Sequence, residues 1–316
     1  MRHVFILNPV AGKTKQALTL RGKIDAYFAR HPEMEYAVRL TDGVGAATRI
    51  AREESEKGDA VRLYACGGDG TLQEVANGLP VCCDRVELAV IPCGSGNDYV
   101  RIFGGKDVFA DIESLIEGSA YPVDAVDCGD RVSLNIASIG MDATVAMKMQ
   151  NYKNLPGVSG SAAYNLAIVD VFVHPIGENM DIEITTEDGV VRRSGAYLLA
   201  LAANGQYYGG GYRGAPMAVE NDGVLDFVLV KKIPRLQIPG FLSKYKAGRH
   251  DEIPCVECIR GTEMAVKAAN TMVCNVDGEC FEKDTMRFSI IPDAFSVVLP
   301  DEVAKAHSVK SKVVSL

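Results

Sequence analysis

Strand-like and helix-like segments alternate from residue 1 to about residue 120, and this rhythm is the feature that most narrows the fold. Short runs rich in β-branched and aromatic residues alternate with longer stretches whose apolar residues recur at helical spacing. The strand-like runs are HVFIL, EYAVRL, AVRLYAC and VELAVIP, and the helix-like stretches are QALTLRGKIDAYFARH and GAATRIAREESEKG. Strands separated by helices predict a parallel sheet with helices on its faces.

Glycine-rich segments follow the first, third and fourth of these strands. They are NPVAG at residues 8–12, GGDG at 67–70 and GSG at 94–96. The carboxyl ends of parallel strands lie at one edge of the sheet, where the ligands of such folds bind. Because glycine lets the backbone approach a bulky phosphate, we expect the three segments to form one crevice for an anionic ligand.

The first glycine segment ends in Gly12-Lys13-Thr14, as a P-loop does. A P-loop, G-x-x-x-x-G-K-[ST], also has a glycine five residues before its last one, and that position is Leu7 here. We therefore expect Lys13 to bring a positive charge to the phosphates without a P-loop. A redox dinucleotide-binding enzyme is disfavoured, because no G-x-G-x-x-G follows the first strand.

Two stretches carry the clearest phosphate-binding pattern, CGGDGTLQEVANGL at residues 66–79 and IPCGSGNDYVR at 91–101. In the first, the N–H groups and dipole of the helix that follows the glycines favour phosphate. Thr71 is expected to cap this helix or to bond a phosphate oxygen, with Glu74 as its capping partner. In the second, Ser95 stands between two glycines. A tight turn followed by a capped helix is the alternative for each stretch.

From about Tyr121 onward, strand-like segments joined by tight turns replace the alternation. Only three stretches there look helical: 141–153, parts of 160–173, and 235–247. This pattern predicts a mainly antiparallel β domain. The expected division is an α/β domain with the glycine-rich crevice at 1–122, a β-rich domain at 123–300, and a tail at 301–316 that can pack back on the first domain and whose last dozen residues look weakly ordered.

Composition limits the function classes. The net charge is −8 and the sequence pI is near 5.3, which argues against a general nucleic-acid binder. No apolar stretch approaches the roughly 18 residues of a membrane-spanning helix, and residues 4–7 are too short for a signal peptide. Nine cysteines, scattered through strand-like segments, indicate reduced thiols in a cytoplasmic protein.

The blocks NPVAGK, GGDGTLQEVANGL and PCGSGND, in this order, resemble the catalytic domain of the diacylglycerol kinase and sphingosine kinase superfamily, and in particular its soluble bacterial lipid kinases. The likeness continues through LNIASIGMDA, NGQYYGGGYRGAP, ENDGVLDFVLV and NVDGE. It implies a first domain of the NAD-kinase and phosphofructokinase type, a second domain that takes the lipid substrate, and ATP and Mg²⁺ as cofactors. The residues that would contact ATP are Asn8, Pro9, Val10, Ala11, Gly12, Lys13, Thr41, Gly67, Gly68, Asp69, Gly70, Thr71, Leu72, Gln73, Glu74, Ser95 and Asn97.

The resemblance also implies roles for acidic residues. Asp69, Asp98 and Asp124 would join a network that reaches the catalytic magnesium ion. A second, structural metal site would have as its ligands Asp222 and the carbonyl groups of Val219 and Val224. An ordinary turn at Asp222-Gly223 is the alternative for that site.

Asp277 and Glu279, in the block VDGE, would match the acidic pair credited with base catalysis. An alcohol acceptor must lose its proton, so a carboxylate must lie within hydrogen-bond reach of it. Residues two apart in a strand face the same side, so one carboxylate could take the proton while the other orients it or binds metal. A hairpin turn centred on Asp-Gly is the alternative.

Residues 231–250, KKIPRLQIPGFLSKYKAGRH, carry six Lys or Arg and no acidic residue. Apolar residues interleave with them, which predicts peripheral contact with an anionic bilayer at the inner membrane face, where the lipid substrate would be met. The alternative is an ordinary helix packed on the β domain with solvated lysines. The oligomeric state is open, with a homodimer as one option.

The leading hypothesis is therefore an ATP- and magnesium-dependent lipid kinase that converts diacylglycerol to phosphatidate. Its rivals are an NAD-kinase-like enzyme that acts on a soluble acceptor and a nucleotide-binding regulator without catalysis. A long-chain base, an isoprenoid alcohol or a glycerophospholipid would serve equally as the acceptor, because the pockets for their chains are built from the same apolar residues.

Overall fold

The computed structural model describes residues 1–12, 14–94, 96–153, 155, 160–174 and 176–314, with the backbone alone at 14–16, 153, 160–162, 164–165, 172–173 and 309–314. The strands are β1 (Arg2–Leu7), β2 (Tyr36–Leu40), β3 (Val61–Gly67), β4 (Val86–Pro92), β5 (Ser119–Asp127), β6 (Val132–Ser133), β7 (Ile136–Gly140), β8 (Glu178–Thr186), β9 (Gly189–Ala203), β10 (Leu225–Lys231), β11 (Val256–Gly261), β12 (Glu263–Val276) and β13 (Glu279–Leu299). The α-helices are α1 (Thr14–Arg30), α2 (Ala46–Ser55), α3 (Asp69–Ala76), α4 (Ile112–Ile116), α5 (Met141–Lys153), α6 (Gly160–Val173), α7 (Ile238–Lys246) and α8 (Asp301–Val314). Short 3-10 helices lie at Tyr99–Phe103, Lys106–Phe109, Arg235–Gln237 and His250–Glu252.

The chain forms two compact units. The first comprises Met1–Ala125, Glu220–Asp222 and Ile291–Leu316, and the second comprises Val126–Val219 and Gly223–Ile290. Residues 220–222 and 291–300, expected in the β-rich domain, thus group with the first unit. The reasons are local: Glu220 accepts a backbone hydrogen bond from Asp124, and Ser296–Val298 pairs with β4.

The first unit is built on parallel strand pairs in the order β2, β1, β3, β4 and the last part of β13. All seven residues of β3 are buried, as expected for a strand with a neighbour on each side. Phe5 of β1 stacks on Tyr64 of β3, with ring centroids 4.1 Å apart. Because these strand pairs are parallel, the carboxyl ends of β1, β3 and β4 lie side by side.

Two basic side chains are buried in this unit. His3 lies 2.8 Å from the Tyr64 hydroxyl, and burial lowers its pKa to about 4. Arg62 of β3 pairs with Glu87 at 2.6 Å. Its guanidinium also donates to the carbonyl groups of Leu115, Ile116 and Gly118 at the end of α4. These bonds satisfy carbonyl groups that a helix end leaves without intrahelical partners.

The second unit is mostly antiparallel β structure. Its strands pair in the order β11, β10, β9, β7, β12 and the first part of β13, and β8 pairs with both β9 and β12. Two buried apolar clusters lie on opposite faces of β9: Tyr197, Ala200 and Ala202 belong to one, and Leu198 and Leu201 to the other. The second cluster also takes residues of α6 and α7, so helices cover that face.

The tail expected to be weakly ordered is helical. Helix α8 spans Asp301–Val314, and residues 315–316 lie outside the described part of the chain. Within the first unit, His307 of α8 lies 2.7 Å from Glu220 and packs its ring on Phe103 at 5.0 Å. The sequence pattern did not reveal this anchor, because a single histidine makes both contacts.

Candidate active site

The first glycine loop, residues 8–12, leaves β1 through an Asn turn. The backbone N–H of Asn8 donates to Cys66 of β3, and its side-chain oxygen accepts from Val10 N at 3.1 Å. Its amide nitrogen donates to the Thr71 hydroxyl at 3.1 Å. Pro9 and Ala11 lie within the turn, and Gly12 has a left-handed φ of 70°. Lys13 lies outside the described residues.

Thr41 lies at the end of β2, beside this loop. Its N–H donates to the carbonyl group of Leu7, the last residue of β1, at 3.0 Å. The structure thus places Thr41 beside the residue from which the first glycine loop begins, and its contact with ATP stays a prediction.

The second glycine loop, residues 67–70, runs directly into α3. The helix begins at Asp69 with Gly68 as its N-cap, and no side chain caps it. The expected capping pair of Thr71 and Glu74 is therefore wrong. The helix starts two residues earlier than Thr71, whose hydroxyl bonds to Asn8 instead. Glu74 reaches the start of α2, where its carboxylate accepts from Ala47 N at 3.1 Å.

Close packing explains the glycines of this loop. A Cβ at Gly67 would lie 2.2 Å from the Thr71 hydroxyl oxygen, whereas a Cβ at Gly70 would meet no atom within 4 Å other than its chain neighbours and the backbone of its own helix. Leu72 and Gln73 are buried on α3. The side of the loop near Gly70 is therefore the one with room for a ligand.

The third glycine loop, residues 94–98, touches the second. The N–H groups of Cys93 and Gly94 both donate to the Gly67 carbonyl group, at 2.8 and 3.1 Å. A Cβ at Gly94 would lie only 2.6 Å from the Cα of Gly68. Asn97, with φ 58°, folds its side chain back onto the Gly94 carbonyl group at 2.7 Å. Ser95 lies outside the described residues.

Asp69 ties the second loop to the third. Its two carboxylate oxygens accept the N–H groups of Asp98 and Tyr99 at 3.0 and 3.2 Å. Burial raises the pKa of Asp69, and these N–H groups oppose the rise by favouring the charged form. Asp69 is therefore a half-buried carboxylate with a perturbed pKa at the point where the loops meet, a common property of functional groups.

Two cationic residues near the third loop were missed from the sequence. Lys106 donates from Nζ to the Gly94 carbonyl group at 2.8 Å, and Arg101 pairs with Asp98 at 3.0 Å. The Gly104-Gly105 pair before Lys106 could have indicated a turn in the sequence. Their φ values of 100° and 95° let the chain turn back to the third loop. Lys106 thus adds a positive charge beside the third loop, whose one acidic residue, Asp98, is paired with Arg101.

Asp124 is buried near the end of the first unit's share of β5. Its carboxylate accepts from Asp293 N at 2.8 Å, and its own N–H donates to the Glu220 carbonyl group at 2.7 Å. Its part in a magnesium network stays a prediction. The same holds for the metal role of Asp222, which belongs to the first unit, and of Val219 and Val224, which belong to the second.

Asp277 and Glu279 do not face the same side of a strand, so that expectation is wrong. Asp277 and Gly278, with φ values of 46° and 101°, form the turn between β12 and β13. The Asp277 carboxylate accepts backbone N–H groups of residues 134–136, at 2.8, 3.4 and 3.0 Å. Glu279 begins β13 and pairs with Arg131 at 2.8 Å. Residues two apart face the same side only inside a strand, and the Asp-Gly turn interrupts the strand between these two residues.

The two carboxylates of this turn also differ in environment. Burial raises the pKa of Asp277 to about 6, although the N–H groups that it accepts oppose the rise. Glu279, by contrast, is exposed. Only Asp277 therefore combines burial with a pKa near neutrality, the property expected of a general base.

Most of the apolar residues of segment 231–250 are packed inside the protein and are therefore not exposed to a membrane. Ile238, Phe241 and Tyr245 of α7 are buried in the second unit's core. The alternative of a helix packed on the β domain therefore describes α7. Leu236, just before the helix, is an exception with 93% of its surface exposed. No helix among the described residues is long and apolar enough to cross a bilayer.

Comparison with known families assigns both halves of the chain. Residues 2–128 match the diacylglycerol kinase catalytic domain, and residues 135–299 match the YegS C-terminal NAD kinase beta sandwich-like domain. The chain belongs to the diacylglycerol kinase family. It is a kinase, with a catalytic domain followed by a β-sandwich-like domain.

Relatives of this kinase match more than nine-tenths of its length. A Pseudomonas aeruginosa PAO1 protein named "probable lipid kinase YegS-like" is 33% identical over 298 residues, which are 91% of this chain and 95% of the relative. A Staphylococcus saprophyticus diacylglycerol kinase is 28% identical over 94% of this chain and 95% of its own. A crystal structure of a diacylglycerol kinase from Bacillus anthracis Sterne has the same fold, with a TM-score of 0.69, 21% identity, and coverage of 96% of this chain and 98% of the other.

Proposed function

We propose that this kinase transfers the γ-phosphate of ATP to the hydroxyl group of a lipid, with Mg²⁺ as cofactor and diacylglycerol as the acceptor that yields phosphatidate. One observation carries the proposal: the second and third glycine loops touch at Gly68 and Gly94, where the Asp69 carboxylate joins them. Such an arrangement suits a polyphosphate chain, because phosphoryl transfer depends on positioning and charge neutralisation more than on covalent chemistry.

The backbone would bind the phosphates. The N–H groups at the start of α3, with its dipole, favour negative charge, and the open space around Gly70 gives access to them. Lys106 supplies a positive charge beside the third loop, in addition to the charge proposed for Lys13. The remaining contacts proposed for ATP are those of the first loop and of Thr41.

The acidic residues fit a magnesium ion that is held mainly by the nucleotide. No group of three or more metal-binding side chains comes together within the described part of the chain. Mg²⁺ commonly binds through one or two carboxylates plus substrate phosphates and water, so Asp69 with Asp98 or Asp124 is a sufficient protein contribution. When bound, the ion would neutralise charge that develops on the phosphate oxygens.

Asp277 is the group that we assign to proton removal. Its carboxylate is held by three backbone N–H groups, and its raised pKa places it near the range in which a base works at neutral pH. Oδ2 accepts two of these N–H groups and Oδ1 accepts one, so Oδ1 has a further lone pair that can accept from a substrate hydroxyl. Glu279, paired with Arg131 and exposed, is assigned no proton transfer.

The test is transfer of labelled γ-phosphate from ATP into diacylglycerol in mixed micelles with Mg²⁺. Wild-type enzyme should form phosphatidate, Asp277→Asn should lose most of the rate while it still binds ATP, and Glu279→Gln should keep it. Labelling of NAD instead of any lipid would establish the NAD-kinase alternative. ATP binding without transfer to any lipid alcohol or NAD would leave a nucleotide-binding regulator and refute the kinase reaction proposed here.

Contact with the membrane is proposed to be peripheral and electrostatic, at the inner face. Lys231, Lys232 and Arg235 are exposed beside the exposed Leu236, whereas the apolar side of α7 is buried. Each basic residue near an anionic surface contributes about 1 kcal/mol. Sedimentation with anionic and with neutral vesicles tests this: equal binding to both would refute it. A homodimer stays a prediction, which light scattering of the purified protein can test.

A further inference from the structure

A polar cluster in the second unit is not used by the mechanism proposed above. Ser138 lies on β7, and Asp142 lies four residues later in the first turn of α5. The strand passes into the helix at Gly140, where φ is 113° and a Cβ would lie 2.4 Å from the Leu198 carbonyl oxygen. Only glycine fits this turn, which places Asp142 close to Ser138.

The polar atoms of this cluster are enclosed without good partners. Asp142 as a residue is half-buried, but both its carboxylate oxygens and the Ser138 hydroxyl are closed to solvent. Among the described residues, none of these three atoms has a hydrogen bond of normal distance and angle. Enclosed groups of this kind are costly and commonly mark the place of a water molecule or a ligand.

The charge of Asp142 restricts what can bind there. Burial raises its pKa to about 6, and the nearby hydroxyls of Ser138 and Tyr208 partly oppose the rise. At neutral pH the carboxylate is therefore mostly ionised and can only accept hydrogen bonds. A partner must be a donor such as a hydroxyl group, whereas an ester oxygen would be rejected.

Tyr208 is the third polar residue of the cluster. It pairs with Tyr212 through two backbone hydrogen bonds of 2.9 and 2.8 Å, which close a hairpin over Gly209, Gly210 and Gly211. All three glycines have left-handed φ values, of 58°, 81° and 97°. The Tyr208 hydroxyl lies near Asp142 and 3.4 Å from the Tyr245 hydroxyl, a distance too long for a strong hydrogen bond. A hydroxyl group has one donor and two acceptor positions, so Tyr208 can bond a ligand hydroxyl in addition to these two neighbours.

The cluster and the proposed base both lie beside β7. The Asp277 carboxylate accepts from Ile136 N at 3.0 Å, and Ser138 is two residues further along β7 on the same face. At about 3.3 Å per residue, Ile136 and Ser138 are about 7 Å apart along β7. A three-carbon diol can bridge this span when hydrogen bonds of about 2.8 Å at its ends are included.

We infer that Asp142, Ser138 and Tyr208 bind a second hydroxyl group on the head of the lipid acceptor, while Asp277 takes the proton from the first. The inference rests on the proposed lipid-kinase function. It predicts that the preferred acceptor has two free hydroxyl groups on its head. Diacylglycerol, which has one, would be phosphorylated less efficiently.

The test compares two lipids that differ by one hydroxyl: 1-oleoylglycerol and the 1-oleoyl ester of propane-1,2-diol. A site built to bond a hydroxyl discriminates strongly against an analogue that lacks it, so wild-type kcat/KM should favour the glycerol ester by about 30-fold or more. Asp142→Asn should reduce this preference to about 3-fold or less, through a higher KM for the glycerol ester with an unchanged KM for ATP. Ser138→Ala and Tyr208→Phe should each reduce it in part.

Tyr212→Phe, at the other end of the hairpin, is the matched control and should keep the full preference. Should Asp142→Asn fail to fold, the two one-atom deletions, Ser138→Ala and Tyr208→Phe, decide the question. Equal wild-type rates with both lipids, or a full preference in the variants, would overturn the inference alone. A wild-type enzyme that labels no lipid would overturn the proposed function and this inference with it.

Discussion

The contact between Gly94 and Gly68 makes Gly94→Ala a direct probe of the glycine loops. A Cβ at Gly94 would lie 2.6 Å from the Cα of Gly68 and 3.1 Å from its nitrogen. Ordinary contacts begin at 3.4 Å, so the third loop must retreat by about 0.8 Å. The φ of Gly94 is not left-handed, so alanine is allowed by the backbone and the effect is purely steric.

A displacement of this size has a calculable effect. Misplacing positioning groups by about 1 Å can cost about 100-fold in rate, or about 2.7 kcal/mol of transition-state stabilisation. Overpacking also lowers the free energy of unfolding by about 1–3 kcal/mol. Gly94→Ala should therefore lose about 100-fold in kcat/KM for ATP, with weaker ATP binding by calorimetry and a lower urea midpoint.

Gly22→Ala is the control for the chemical change itself. Gly22 lies within α1, and a Cβ added there would meet no atom of another residue's side chain or of a neighbouring element within 4 Å. Alanine should therefore stabilise the helix by about 0.5–1 kcal/mol and leave ATP kinetics unchanged. An ATP affinity of Gly94→Ala within twofold of wild type would show that the loops do not position the nucleotide, and the reasoning would fail.

Three further predictions concern buried and paired charges. Because the folded pKa of His3 lies below its unfolded value of about 6.5, its stabilisation is complete above pH 6.5 and is lost as the pH falls toward 4. His3→Phe should remove this pH-dependent contribution, up to about 3 kcal/mol, from the free energy of unfolding measured with urea across that range. Arg62→Met should cost about 3 kcal/mol in urea unfolding, because it leaves the Glu87 side chain, which is 13% exposed, unpaired, and a loss below about 1 kcal/mol would contradict this pairing. Glu279→Gln should change the free energy of unfolding by less than about 1 kcal/mol, since its pair is exposed, while Asp277→Asn should lower kcat well beyond any stability loss.

The glycine loops could be placed from the sequence because each follows a buried strand. The periodicity located β1, β3 and β4, and strand polarity then brought residues 8–12, 67–70 and 94–98 to neighbouring strand ends. The bonding partners could not be predicted in this way. Asn8 bonds to Thr71, 63 residues away, and Lys106 folds back to Gly94. Such pairs depend on how distant segments pack, which local patterns do not encode.

The acidic pair was misplaced for a reason visible in the sequence itself. Alternation of side chains holds while the backbone stays extended, and Asp277 has a φ of 46°. The Asp-Gly signal for a turn was present and outweighs periodicity where the two conflict. In segment 231–250 the sequence showed apolar residues interleaved with basic ones, and three of the apolar residues lie on the buried face of α7. Whether that face meets lipid or the protein core is decided by tertiary packing, which buried Phe241 and Tyr245.

The two hydrogen bonds from Asp98 and Tyr99 to Asp69 bear on how genetic experiments with this kinase are interpreted. An allele with alanine at Asp69 is an obvious inactive control for complementation in cells. That allele would also free two backbone N–H groups and loosen the third loop. A null phenotype would thus report lost loop order together with lost chemistry. Asp69→Asn, which keeps one acceptor oxygen, narrows the ambiguity and is the better control allele.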